Sequence, residues 1–242
     1  MMKTLLTAPG RFLSRRYLLP DLSQHEKKVH SQFGEDGIIA AIFGAIPPRS
    51  RFFVEFGIGP HWLDTEYAGG LEGNCVLLRK QGWKGVFFDA GSHPPEYDVV
   101  QEFITADTIN DVFAAHGVPE NVDIVSIDID GQDWWVWNAL RYRPTLIVLE
   151  YNGHKGPDEA VTVPFDPDFR WDGTDYYGAS LRALDLLARR KGYTLVFANG
   201  VNAFFVRTDR LAAPEAYRFE DLYRPAQNHE KDPKDRPFVV IR

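Results

Sequence analysis

The stretch Ser126-Ile-Asp-Ile-Asp-Gly-Gln-Asp-Trp-Trp-Val-Trp137 follows the apolar run Val122 to Val125 and is dense in carboxylates and indoles. Carboxylates that emerge from the end of a buried strand can accept ligand hydroxyls, hold a hard cation or take up a proton. If Val122 to Asp128 is a strand, Asp128 could face a cofactor and Asp130 a substrate or metal. Asp133 would open the next helix, where a carboxylate favours the positive dipole end. Trp134, Trp135 and Trp137 cannot share one helical face, so one of them, with Trp134 as the candidate, is expected to line a substrate pocket; helix-to-sheet packing is the competing role for each.

Three further apolar runs end in residues of the same kind. Phe53-Val-Glu-Phe-Gly-Ile-Gly59 places Glu55 ahead of Gly57 and Gly59, and glycines there let the backbone turn sharply against a ligand. The dinucleotide fingerprint would need a third glycine where Trp62 stands, which argues against hydride chemistry. Gly82-Trp-Lys-Gly-Val-Phe-Phe-Asp89 ends in Asp89, a candidate for the two hydroxyls of a ribose, with a turn cap over Gly91 to His93 as the alternative. Thr145-Leu-Ile-Val-Leu-Glu-Tyr-Asn152 brings Glu150 and Asn152 to the same edge, with His154 two residues on. Asp128 or Asp130, with Glu150 and Asn152, could hold magnesium, while His154 or Asp130 could act as a general base, with Glu150 a further catalytic candidate.

These runs need a frame. Apolar segments at Phe52 to Phe56, Gly85 to Asp89, Phe103 to Thr105, Val122 to Asp128, Thr145 to Tyr151, Tyr193 to Ala198 and Ala203 to Arg207 alternate, up to residue 193, with helical segments at Leu71 to Gln81, Ile109 to His116, Asp133 to Leu140 and Ala179 to Lys191. That alternation predicts an α/β fold with a Rossmann-like, mostly parallel seven-stranded sheet. The last two strands are separated only by Asn199-Gly-Val-Asn202, a hairpin signal, and a parallel sheet closing with an antiparallel hairpin is the architecture expected of a class I methyltransferase domain. Residues 1–46 are expected to be helical and to cover the cofactor site, and 47–242 to form the catalytic domain. Residues 152–178 make a long Gly/Pro/Asp-rich connection whose Trp171, Tyr176 and Tyr177 are suited to stacking on a sugar or flat ring.

Composition narrows the function classes. The 242 residues carry a net charge of -7, so no broad positive field favours nucleic acid, although Arg11, Arg15, Arg16, Lys27 and Lys28 make the N-terminal segment locally basic. No apolar run approaches the roughly 20 residues needed to span a bilayer. The start lacks a signal-peptide core and Cys75 is the single cysteine, which predicts a cytoplasmic chain without a disulfide and a packing role for that thiol. A homo-oligomer is compatible with this composition.

Taken together, Ser31-Gln-Phe-Gly-Glu-Asp-Gly37, Phe53-Val-Glu-Phe-Gly57, Gly82-Trp-Lys-Gly85, Ser126-Ile-Asp-Ile-Asp-Gly131, Glu150-Tyr-Asn152, Tyr177-Gly-Ala-Ser-Leu181 and Lys191-Gly-Tyr193 resemble the FkbM-type family of S-adenosylmethionine-dependent methyltransferases. The resemblance runs over roughly residues 31 to 207. It implies that Glu55 and Gly57 lie under the methionine part of S-adenosylmethionine, Asp89 on its ribose and the segment around Asp107 near its adenine, with Gln32 and Glu35 closing over the site. The expected reaction is O-methylation of a sugar hydroxyl on a glycan or a glycosylated or natural-product small molecule. Two other readings compete: a metal-dependent nucleotide-sugar glycosyltransferase using Asp128 and Asp130, and a non-catalytic interaction module on the same fold.

Overall fold

The apolar runs form a seven-stranded sheet in the computed structural model, which describes residues 15–58, 71–226 and 230–242. Its strands are β1 (Phe52–Phe56), β2 (Lys84–Asp89), β3 (Val99–Gln101), β4 (Ile124–Ile127), β5 (Leu146–Glu150), β7 (Tyr193–Ala198) and β8 (Asn202–Arg207). A separate pair joins β6 (Val161–Thr162) to β9 (Val239–Val240). The main order is β3-β2-β1-β4-β5-β8-β7, parallel from β3 through β5, with β8 antiparallel to both β5 and β7. This is the expected Rossmann-like α/β architecture with its closing hairpin. The chain winds outward from β1 in one direction and from β4 in the other, so a crevice opens beyond the carboxyl ends of these two neighbours.

Both faces of the sheet are covered, which is why its central strands are apolar on both sides. On one face, Val54, Phe56, Val125 and Ile127 pack with residues of α3 (Ile109–Ala115), α4 (Asp133–Ala139) and α5 (Leu181–Lys191), such as Phe113, Trp137 and Leu184. On the other, Phe53, Phe87, Ile124 and Val148 pack with Ile38, Ile39 and Ile42 of α1 (Glu35–Ala45) and with Val76 and Leu78 of α2 (Val76–Lys80). Helix α1 is therefore part of the core; of the expected N-terminal helical segment, residues 15–46 are helical only at Leu22–Gln24 and Glu35–Ala45, and residues 1–14 lie outside the described residues. Helix α5 ends as its sequence demands: Ser180 Oγ accepts from Ala183 N at 3.1 Å, and Gly192 closes the helix at φ 79°.

Two expected elements move. The third strand lies at Val99–Gln101, not at Phe103 to Thr105: Glu102 N donates to the Asp89 carbonyl at 2.8 Å, after which Thr105 N bonds to Thr108 Oγ1 at 3.0 Å and the chain turns into α3. Helix α2 is shorter than Leu71 to Gln81, because the amides of Asn74 and Cys75 are held by the Glu55 carboxylate instead of by a preceding turn. Among the described residues, no helix is long and apolar enough to cross a membrane.

Candidate functional site

Side chains alternate across a strand, so strand register decides which carboxylates meet. Glu55 pairs with Ser126, Ser126 with Val148, and Glu150 with Asn202. One further step on the same face sets Gly57, Asp128, Glu150 and Asn202 in a row at the carboxyl edge, on the side covered by α1. Gly57 has φ 79°, and a Cβ there would fall onto the carbonyl oxygen of Asp128, so this crossing requires glycine. Asp130 follows with φ 54°, a left-handed conformation that tightens the turn before α4.

Two adjoining cavities open along this edge. The first, of about 440 Å³, lies over β1, β2 and β4; Gly57, Asp89, Asp128 and Asp130 form its floor, and Phe103 to Ala106 one side. Phe165, Phe169, Arg170 and Trp171, from the long connection after β5, form the opposite wall. The second, of about 360 Å³, shares Gly57, Asp128, Asp130 and Trp171 and extends to Gln32, Phe33, Glu150, Tyr177 and Asn202. Phe33, Phe103, Phe165 and Trp171 are among the most exposed large apolar side chains of the protein, and all four border these cavities.

The electrostatics of the edge are one-signed. Asp128, Asp130 and Glu150 each bring a carboxylate oxygen within 4.8 Å of the others. Burial, followed by repulsion from Asp130, Asp133, Glu55 and Glu35, pushes the Asp128 carboxyl well above the ordinary range. Glu150 moves the same way through burial and then Asp128, Asp133 and Asp130; Asp130 is raised by burial and by Asp89. Burial also pushes Glu55 and Asp133 up to about 7, although backbone donors oppose the shift in both.

The sequence candidates divide in space. Gln32, Glu55, Gly57, Asp89, Asp128, Asp130, Glu150, Trp171 and Tyr177 all line the cavities. Glu55 has a second task, accepting from Asn74 N at 2.6 Å and Cys75 N at 2.8 Å, and Cys75 is buried in the core as expected. Asp89 both caps a turn and lines the first cavity: its Oδ1 accepts from Gly91 N at 2.6 Å, and its Oδ2 makes no hydrogen bond among the described residues. Asp133 is structural, accepting from Ile129 N and Gly131 N at 3.0 and 2.9 Å. Glu35 does not face the cavities; it ties α1 to the hairpin through Asn199 and Asn202 at 2.7 and 3.0 Å, and so sets the position of Gln32 and Phe33.

Other candidates are corrected. Trp134 is buried against α5, its indole N–H donating to the Ala183 carbonyl at 3.3 Å, so it is packing and not a substrate contact. Asn152 is neither ligand nor substrate contact: it is fully buried, Nδ2 donates to the carbonyls of Asp175 and Tyr177, and Oδ1 accepts from His154 N. His154 stands edge-on behind Tyr177, with ring centroids 6.4 Å apart, and lines neither cavity. Tyr176 points to the C-terminal segment, its hydroxyl donating to the Pro237 carbonyl at 3.1 Å. Asp107 is exposed, and the first cavity is lined by the residues just before it. Gly59 and the loop that follows it lie outside the described residues.

Phe33, Phe103, Phe165, Phe169 and Arg170 were missed as cavity residues. For Phe165, Phe169 and Arg170 the signal was aromatic clustering up to Trp171 in the connection after β5; Phe33 and Phe103 carried no local signal. Comparison of this chain with protein-family models, with characterised proteins and with solved structures finds no match.

Proposed function

We propose that this protein is an S-adenosylmethionine-dependent O-methyltransferase acting on a hydroxyl of a sugar or a glycosylated small molecule. The observation that carries the reading is the paired cavity at the switch between β1 and β4, with Gly57 and Asp128 lining both lobes; in this reading the first takes the nucleoside and the second the acceptor. The closing antiparallel hairpin supports the same fold assignment.

The residues fit the cofactor. Asp89 can accept from the ribose hydroxyls through Oδ2, and Phe103, Ile104, Phe165 and Phe169 offer apolar contacts for the base, with Arg170 over the Phe103 ring at 4.2 Å. Gly57, where a Cβ would meet the Asp128 carbonyl, lets the backbone pass close beneath the amino-acid part. When bound, the cofactor supplies a methyl group already activated on a sulfonium. The protein would then have to align an acceptor oxygen, exclude water and take up the proton that the hydroxyl loses on methylation. Trp171 and Tyr177 offer ring faces to a sugar, and Asp130 and Glu150 offer oxygen acceptors at the same wall.

Titration calorimetry with S-adenosylhomocysteine tests this reading. A Kd in the micromolar range, weakened in Asp89→Ala, is the expected result. No binding of this ligand, together with binding of a uridine or guanosine diphosphate in manganese, would replace it with the glycosyltransferase reading.

A further inference from the structure

Buried carboxylates elsewhere in this protein are cradled. Asp36 Oδ2 accepts from the amides of Val29, His30 and Ser31 and from Ser31 Oγ. Asp123 accepts from the amides of Arg49, Ser50 and Arg51 and from Ser50 Oγ. Glu35, Glu55 and Asp133 each accept two or more hydrogen bonds. This is the usual condition for burying such groups. Asp128 and Glu150 are half-buried and Asp130 is exposed; their side chains accept no hydrogen bond among the described residues, and they are the three that converge.

Two separate observations say what is missing. Glu150 Oε2 is sealed from solvent without a hydrogen-bond partner; Asp36 Oδ1 is sealed likewise, but there the other carboxylate oxygen accepts four hydrogen bonds, whereas neither oxygen of Glu150 accepts any among the described residues. The lining of the second cavity, which all three residues share, includes no Lys, Arg or His among the described residues, and Arg170, which lines the first cavity, has its guanidinium over the Phe103 ring at 4.2 Å. Oxygens on opposite sides of a bound magnesium or calcium ion stand roughly 4 to 5 Å apart, which matches the spacing within the group.

We propose that Asp128, Asp130 and Glu150 bind a hard divalent cation at the wall shared by the two cavities. The ligand set differs from that expected on sequence, taking both aspartates and leaving out Asn152. The site rests on this geometry alone. Its use, to hold an acceptor hydroxyl oxygen in line with the methyl group, rests on the methyltransferase reading above.

Terbium luminescence excited through tryptophan tests the site on the full chain after chelation, because Trp171 lines the same cavity. The expected result is a saturable signal displaced by magnesium or calcium, weakened at least about tenfold in both Glu150→Gln and Asp128→Asn and retained in Asp89→Asn. Thermal melting of each variant checks that it is folded. Absence of a saturable signal, indifference to both substitutions, or displacement by a polyamine but not by magnesium or calcium would overturn the site. Calorimetry with S-adenosylhomocysteine in chelator separates the two proposals: cofactor binding in a protein that takes up no metal overturns only the cation site, and metal uptake without cofactor binding overturns only the methyltransferase reading.

Discussion

Strand β4 has an aspartate at each end, and the two live under opposite conditions. Asp123, at the amino edge, is fully buried and accepts four hydrogen bonds of 2.7 to 3.0 Å from the segment that leads into β1. Asp128, at the carboxyl edge, accepts none among the described residues and faces Asp130 and Glu150. Asp123 leaves bulk water altogether and Asp128 in part, but only the first is given donors in return. The amino edge is built to hold the fold, and the carboxyl edge keeps its oxygens available at a cost in stability.

Substitutions at these two ends should therefore act in opposite directions. Asp123→Ala leaves three amides without their acceptor and is expected to destabilise the fold by about 3 kcal/mol in urea unfolding. A loss near zero would break the comparison. At the carboxyl edge, Asp89→Ala is expected to weaken S-adenosylhomocysteine binding by about 2 kcal/mol in calorimetry while lowering the melting temperature less than Asp123→Ala does, since its contributions to the fold are the turn cap to Gly91 and the approach of its Oδ1 to His93 Nε2 at 3.4 Å.

Asp128→Asn sharpens the contrast further. In metal-free buffer it removes a half-buried carboxyl that has no donor and is crowded by Asp130 and Glu150, and unfolding should show a gain of about 1 kcal/mol. A destabilisation of the size expected at Asp123 would mean that Asp128 is as structural as its counterpart.

The smallest effect concerns the segment that braces the aromatic wall. Arg236 bonds to Asp172 at 2.8 Å and to Asp232 at 2.9 Å, beside Trp171 and Tyr176. Hydrogen bonding, from Thr174 to Asp172 and from Arg236 to Asp232, holds both carboxyls below the ordinary range. A depressed carboxyl contributes stability above its unfolded pKa, and that contribution is lost as pH falls through the folded value. The melting-temperature gap between the native chain and Arg236→Met should thus be full at neutral pH and close as pH falls below about 4. A gap that stays constant into acid would assign Arg236 a packing role only.

Legibility followed the range of the interaction. The end of β4 could be read because the signal is local: an apolar run followed by carboxylates must deliver them to a strand end. The same holds for Ser180 and Gly192 around α5, whose caps are made within a few residues. Asp123 gave no signal, because its donors at Arg49 to Arg51 are more than seventy positions away. Trp134 and Asn152 were misread for a related reason. An indole or amide near a ligand-binding edge suits a pocket as well as a core, and the choice was made by Ala183 in one case and by Asp175 and Tyr177 in the other.

By itself, the sequence determined the layered α/β plan, the closing hairpin and the set of carboxylates at strand ends, since periodicity, turn chemistry and burial act over short stretches of chain. Only the tertiary structure decided which carboxylates meet. Register aligned Asp128 with Glu150, α1 brought Gln32 and Phe33 over them, and the chain after β5 returned Trp171 to the junction of the two cavities. Those outcomes depend on contacts between distant segments, and a carboxylate's role here is set by whether such a contact supplies it with a donor.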